Sequence, residues 1–443
     1  MKKVKNRALA ALLLVALMII GLGVYVVRLA VNGSRWATAS FNAEVYTGGV
    51  LTVGTITDRN GVVLADITDG ARTFADSAQV RRATLHAVGD RQGNIGTGAL
   101  TVYAPELVGY NIITGLYSMN GRGRTVALTI DSRLNVEAYR ALDGRRGAVM
   151  VMNYETGEVL AMVSNPTFDP AAPPVIADDD PAFEGVFLNR AISAAYTPGS
   201  VFKILTAAAA IESIDDFIID TLVFSCTGSR DFTDGTVTCP RPHGELTFAE
   251  AFAHSCNIAF GELAVMLGPD TMARYAARHG LSERTTVGGI TTARGNFDRA
   301  GPGTAELAWS GIGQSTNTVC PAAMMRYVAA IANGGNALEM SLVQNRGIFA
   351  SARSSRVMRA QTAERLDEIM DHHTQANFPG LDMRAKSGTA EVGGDLRPHA
   401  WFAGYIRNEG FPLAFVVVIE NGGGGLAQAG AAANRVLQVA ITH

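Results

Sequence analysis

Beyond its first seven residues the chain carries only two lysines, Lys203 and Lys386, against 31 arginines. Arginine does not give up its proton in a protein, whereas a buried lysine does so readily. A codon bias toward Arg, Ala and Gly explains why lysine is rare, but not where the two remain. Each stands in a short motif: Ser200-Val201-Phe202-Lys203 and Lys386-Ser387-Gly388-Thr389. Between them lies a third, Ser255-Cys256-Asn257. Helix positions three apart face the same side, so Lys203 can lie against the Ser200 hydroxyl. A serine hydroxyl is a weak nucleophile until a neighbouring base takes its proton. Lysine serves as that base only when neutral near pH 7, and burial and a second cation both favour this. Lys386 would be the second cation. A helix start at Ser200 adds partial positive charge and a backbone N–H aimed at a developing oxyanion.

Elements of three kinds must position these motifs. PGSVFKILTAAAAIES (198–213) reads as a buried helix with Ser200 at its N-terminus. LTFAEAFAHSCNIAFGELAVML (246–267) reads as two helical segments meeting near His254-Ser255. The second lysine-bearing motif, Lys386 to Thr389, falls on a strand candidate, 384–392, followed by two more at 400–406 and 412–421. GAVMVMN (147–153) and EVLAMVS (158–164), joined by Tyr154-Glu155-Thr156-Gly157, form a hairpin signal. Asp131 or Ser132 offers an N-cap for a helix leading into that hairpin. These five strands make one largely antiparallel sheet with helices before and between, a mixed α/β (α+β) class. Residues 29–125 are rich in Gly, Thr and Val in short alternating runs and read as a small β-rich module.

A lone SxxK is weak evidence; the order and placement of all three motifs are stronger. The set resembles that of the penicillin-binding proteins and active-site serine β-lactamases. NRAISAAYTPGSVFK (189–203), HGELTFAEAFAHSCN (243–257), GIGQSTNTVCPAAMMRYVAAIANGG (311–335) and HAWFAGY (399–405) are similar to the family surroundings. TITDRNGVVLA (55–65) resembles the N-terminal module of the class B, single-function enzymes. The resemblance covers roughly 125–443. It implies the β-lactamase/D,D-peptidase-like fold and a D,D-transpeptidase that cross-links peptidoglycan stem peptides. Ser200 would be the acylated nucleophile, Lys203 its base and Ser255 a proton relay. Asn257 would bind the substrate backbone and Lys386 would supply charge near Ser255. Ser387 and Thr389, around Gly388, would hold the terminal carboxylate, with the Ser200 and Thr389 N–H groups as oxyanion hole. Ser387 stands where the family pattern has threonine and keeps the hydroxyl. β-Lactams would acylate the same serine. A D,D-carboxypeptidase, a β-lactamase or an inactive scaffold are the rivals. The segment between the first two motifs contains no Glu-x-x-Leu-Asn to activate a deacylating water.

The net charge of −3 gives no basis for a nucleic-acid partner. Residues 8–27 are uncharged, long enough to span a bilayer, and preceded by Lys2, Lys3, Lys5 and Arg7. The positive-inside rule places 1–7 in the cytoplasm, 8–28 in the membrane and the rest outside. The competing reading is a cleaved signal peptide, whose apolar core is ordinarily shorter and followed by an Ala-x-Ala site that this chain does not clearly have. The expected divisions are therefore 1–7, 8–28, a non-catalytic module 29–125 of pedestal or dimerisation type, and a transpeptidase domain 126–443. Little chain precedes residue 125 for a glycan-polymerising domain. By family analogy the partner would be an integral-membrane glycosyltransferase. Cys226 and Cys239 flank a hairpin-like stretch, and a disulfide there would contribute about 3 kcal/mol. Cys256 and Cys320 read as single thiols, Cys256 as a small buried residue. The chain has no paired CxxC and no HExxH, which argues against zinc, and no cofactor is expected. His372-His373 reads as a solvated helix face, and Trp401 as sheet core.

Overall fold

The computed structural model describes residues 2–38, 46–47, 50–68, 71–110, 123–177, 179–297, 299–344, 353–374, 382–408 and 410–442. Helix α1 (Lys2–Ala37) is long and apolar enough to cross a membrane, and its leucines and isoleucines between Leu9 and Leu22 are exposed. A four-stranded sheet follows, built from β1 (Gly54–Thr57), β2 (Val63–Thr68), β3 (Ala71–Phe74) and, after helix α2 (Ala78–Val88), β4 (Thr125–Ala127). Its order is β3-β2-β1-β4, with β4 parallel to β1. Ser77 caps α2, and the helix packs on α3 (Ser132–Leu142). Asp131 caps α3 through the Arg133 N–H, at the expected start.

The principal sheet is formed by β5 (Gly147–Asn153), β6 (Val159–Asn165) and three C-terminal strands described below. Next along the chain come a 3₁₀ turn (Gly199–Phe202) and helix α4 (Lys203–Ser213). An insertion follows, made of β7 (Val223–Cys226), the hairpin β8 (Ser229–Phe232) and β9 (Gly235–Thr238), and β10 (Gly244–Thr247), which pairs back onto β7. Helices α5 (Phe248–Ala253) and α6 (Asn257–Leu267) meet at a kink. A full capping box starts α5, with Thr247 and Glu250 as its partners. Helices α7 (Ala305–Gly311), α8 (Pro321–Ala332) and α9 (Ala360–Thr374) lead to β11 (Met383–Ala390), β12 (His399–Ile406) and β13 (Leu413–Ile419). Helix α10 (Ala431–Thr442) ends the fold.

The sheet order is β11-β12-β13-β5-β6, and every neighbouring pair is antiparallel. Val149 and Val151 face the layer of α3 and α10, with Leu134, Val436 and Leu437. Ala148, Met150 and Met152 face the opposite layer, with Met324 and Val328 of α8. A sheet covered on both faces needs apolar side chains at successive positions, which is why LAFVVVI reads as a continuous run. Strand β11 lies at the sheet edge, against the 3₁₀ turn that carries Ser200.

Candidate active site

Ser200 sits in the 3₁₀ turn and the α-helix begins only at Lys203, so Ser200 stands one turn before α4. Gly199 has φ +56°, and a Cβ there would lie 2.7 Å from the Thr389 carbonyl oxygen. A Cβ on Gly388 would lie 2.7 Å from the Pro198 carbonyl oxygen. Two glycines thus let β11 and the Ser200 turn touch backbone to backbone.

Lys203 Nζ lies 3.1 Å from Ser200 Oγ, 3.1 Å from Ser255 Oγ, 2.5 Å from the Ser255 carbonyl oxygen and 2.8 Å from Asn257 Oδ1. Lys386 Nζ lies 2.9 Å from Ser255 Oγ and 3.1 Å from the Ser387 carbonyl oxygen. Both lysines are fully buried, and neither has a carboxylate partner among the described residues. Burial lowers the Lys203 pKa to about 7, partly opposed by the Cys239 and Cys256 thiols. Burial, and then the Lys203 charge, lower that of Lys386 well below the ordinary lysine value. Two ammonium groups bridged by one hydroxyl repel each other, so the pair favours holding a single proton.

Ser255 occupies the kink between α5 and α6 with φ +54°, a left-handed conformation rare for a residue with a side chain. Cys256 caps α6, and Asn257, its first residue, donates through Nδ2 to the Thr238 carbonyl 2.9 Å away. A groove of about 550 Å³ opens over Ser200, Ser255, Asn257, Ser387 and Thr389. The eight residues singled out in the sequence therefore meet in one place. The arrangement joins a serine to a buried amine within proton-transfer reach, and a second amine shares the Ser255 hydroxyl.

Residues 147–438 match the penicillin binding protein transpeptidase domain. The chain belongs to this family. It is 30% identical over 348 residues to the peptidoglycan D,D-transpeptidase PbpA of Mycobacterium tuberculosis, covering 70% of each chain. With PbpA of Mycolicibacterium smegmatis it is 32% identical over 352 residues, again 70% of each. The solved ceftriaxone acyl-enzyme complex of penicillin-binding protein A from M. tuberculosis superimposes with a TM-score of 0.74. That match has 26% identity and covers 88% of this chain and 98% of the other.

Several features of this penicillin-binding protein were not legible in its motifs. The exposed-face reading holds for His372 but not for His373, which turns into the site. His373 Nδ1–H donates to the Ala253 carbonyl at 2.9 Å, and Nε2 accepts from the Ser387 hydroxyl at 3.1 Å. Burial, then the Lys386 charge, lower its pKa to about 3, so the ring is neutral and fixes Ser387. Adjacent histidines on a helix point about 100° apart, and sequence alone does not say which turns inward. Trp401 is core, its Nε1–H donating to the Thr197 carbonyl at 2.9 Å.

The expected Cys226–Cys239 disulfide is absent, and all four cysteines are free thiols. The β8–β9 hairpin does form between them. Cys239, however, turns toward Cys256, with Sγ···Sγ 3.7 Å, while Cys226 Sγ lies 3.3 Å from His243 Nδ1. Cys256 is thus buried but not alone. The missing CxxC and HExxH motifs did not reveal this cluster, because tertiary folding assembles it from three separate segments: the end of β7, the β9–β10 connection with both Cys239 and His243, and the start of α6.

Proposed function

We propose that this chain is a membrane-anchored peptidoglycan D,D-transpeptidase working through a Ser200 acyl-enzyme. One observation carries the reading: Ser200 Oγ lies 3.1 Å from the amine of a fully buried lysine whose pKa falls to about 7. Ser200 Oγ attacks the penultimate D-Ala carbonyl of one stem peptide, and its proton passes to neutral Lys203. The oxyanion is held by the N–H groups of Ser200 and Thr389. The C–N bond breaks, and the terminal D-Ala amine leaves with a proton relayed through Ser255. An amine of a second stem peptide then attacks the ester. Its proton returns by the same route, and Ser200 Oγ leaves as a hydroxyl. Asn257 aligns the donor peptide, Lys386 holds the relay hydroxyl, and Ser387 and Thr389 bind the terminal carboxylate beside Gly388. β-Lactams, presenting a similar acyl group, stall at the acyl-enzyme.

Helix α1, with its basic start, anchors the protein with 1–7 in the cytoplasm and the catalytic domain outside. Residues 29–125 act as a non-catalytic module ahead of the catalytic domain 126–443. The reaction consumes glycan strands, so the polymerising partner is an integral-membrane glycosyltransferase contacted through α1 and that module.

Fluorescent penicillin tests this on the detergent-solubilised full chain. A stable covalent label, absent in Ser200→Ala, is expected. Label lost within seconds as hydrolysed drug would make the protein a β-lactamase, and no label on folded protein would make it an inactive scaffold. Incubation with a donor stem peptide and an amine acceptor separates transpeptidation from carboxypeptidation, because cross-linked product is expected over the hydrolysed peptide.

A further inference from the structure

Four side chains outside the acyl-transfer set converge beside the Ser255–Asn257 junction. Cys226 ends β7, Cys239 follows β9, His243 precedes β10 and Cys256 caps α6. Their ligand atoms all lie within 4.8 Å of one another. Cys226 and Cys256 are buried, and Cys239 and His243 are partly so. The spacing, Cys-x₁₂-Cys-x₃-His-x₁₂-Cys, is symmetrical about the central pair.

The distances suit a metal better than a disulfide. In a tetrahedral zinc site with Zn–S about 2.3 Å, neighbouring sulfurs lie about 3.8 Å apart. The Cys239–Cys256 separation is 3.7 Å, whereas a disulfide bond is about 2.05 Å. A sulfur and an imidazole nitrogen on the same ion lie about 3.5 Å apart, against 3.3 Å for Cys226 and His243 Nδ1. Backbone N–H groups already point at two of the sulfurs, Asn257 at Cys239 (3.1 Å) and Ala259 at Cys256 (3.5 Å), as thiolate ligands require. The His243 ring is stacked on His254, which fixes its plane.

We propose that Cys226, Cys239, His243 and Cys256 bind one zinc ion in a closed, four-coordinate structural site that pins the β8–β9 hairpin to the Ser255–Asn257 junction. Three soft sulfurs and one imidazole with no fifth donor select zinc over the oxygen-seeking cations and leave no open position for catalysis. Binding releases three thiol protons to solvent and gives a complex of net charge −1. Its mechanical effect follows from connectivity. Cys256 lies between Ser255 and Asn257. Cys239 accepts from the Asn257 N–H, and the residue before it, Thr238, accepts from the Asn257 side chain. The ion therefore fixes both ends of the junction that holds Ser255 in its left-handed conformation.

The test is elemental analysis and thiol counting on the full chain, purified in detergent without chelator. About one zinc per chain is expected, with no disulfide in the non-reduced peptide map. Protein stripped by chelator should bind one cobalt(II) and show thiolate charge-transfer and tetrahedral d–d absorption. Cys226→Ser and His243→Ala should each lower zinc occupancy about tenfold or more. Metal-free protein with four reactive thiols, or a Cys239–Cys256 disulfide, would overturn the site. The effect on Ser255 and Asn257 rests on the transpeptidase reading. Stripped protein should take up fluorescent penicillin about tenfold more slowly and recover with zinc. Unchanged labelling would overturn that effect alone. Zinc-loaded wild type that takes no label would sink the transpeptidase reading and leave the metal count standing.

Discussion

Lys203 has no carboxylate neighbour among the described residues. The groups facing it are Ser200, Ser255, Asn257, the Phe260 ring at 5.9 Å and the Cys239 and Cys256 thiols, with Lys386 across the shared hydroxyl. An amine so placed is stabilised in its neutral form, and only that form accepts the Ser200 proton. The base form accumulates as pH rises, so the acylation rate constant should climb through about pH 7 and level off above it. A profile that falls as pH rises through that point would remove Lys203 as the base. Lys203→Arg cannot release a proton and should cut penicillin acylation of the folded protein by about 10³-fold. A permanent, larger cation in a fully buried site without a carboxylate also lowers the melting temperature, so labelling is scored on the folded fraction. His373 acts one bond further out. His373→Ala leaves the Ser387 hydroxyl unheld and the Ala253 carbonyl unpaired. The loss is about 1–2 kcal/mol of carboxylate binding, seen as a roughly tenfold rise in KM for a donor peptide while kcat changes little.

Between elements, the decisive contact is edge strand β11 against the 3₁₀ turn. A Cβ on Gly388 would lie 2.7 Å from the Pro198 carbonyl oxygen and 3.1 Å from Val201, so any side chain there pushes the strand away from Ser200. Gly388→Ala is expected to destabilise the fold by about 1–3 kcal/mol and to lower acylation far more than the melting shift alone explains. Differential scanning calorimetry with penicillin labelling of the folded fraction separates the two effects. The strands were largely legible, since a sheet covered on both faces needs unbroken apolar runs. The Ser200 turn was not. SxxK reads as one helix, but the chain makes a 3₁₀ turn first, because Gly199 and Gly313 pack backbone to backbone, with the Gly199 N–H donating to the Gly313 carbonyl at 2.8 Å.

At the scale of the molecule, the segment ahead of the catalytic sheet does not stand apart from it. Arg81 on α2 forms a two-pronged ion pair with Asp169, and His86 Nε2 meets the Val186 carbonyl at 2.7 Å. One apolar cluster runs from Ile56 and Leu107 through Met150 to Val418. Helix α1, by contrast, leaves Leu12, Leu13, Met18 and Ile19 exposed. The full chain should therefore sediment with membranes and resist alkaline extraction, and removal of residues 1–33 should release it. A full chain that stays in the supernatant would refute the anchor.

The sequence by itself determined the motif set, the five strands of the principal sheet and the apolar N-terminal span. Each is a local pattern of residue type and spacing, fixed by helix and strand periodicity. Only the tertiary structure decided that Lys203 and Lys386 share one hydroxyl, that His373 holds Ser387 and that three cysteines and a histidine meet. Apart from Cys239 and His243, which share one loop, those groups come from segments 13 or more residues apart along the chain, and their meeting depends on how whole elements pack. Local periodicity carries no record of that packing.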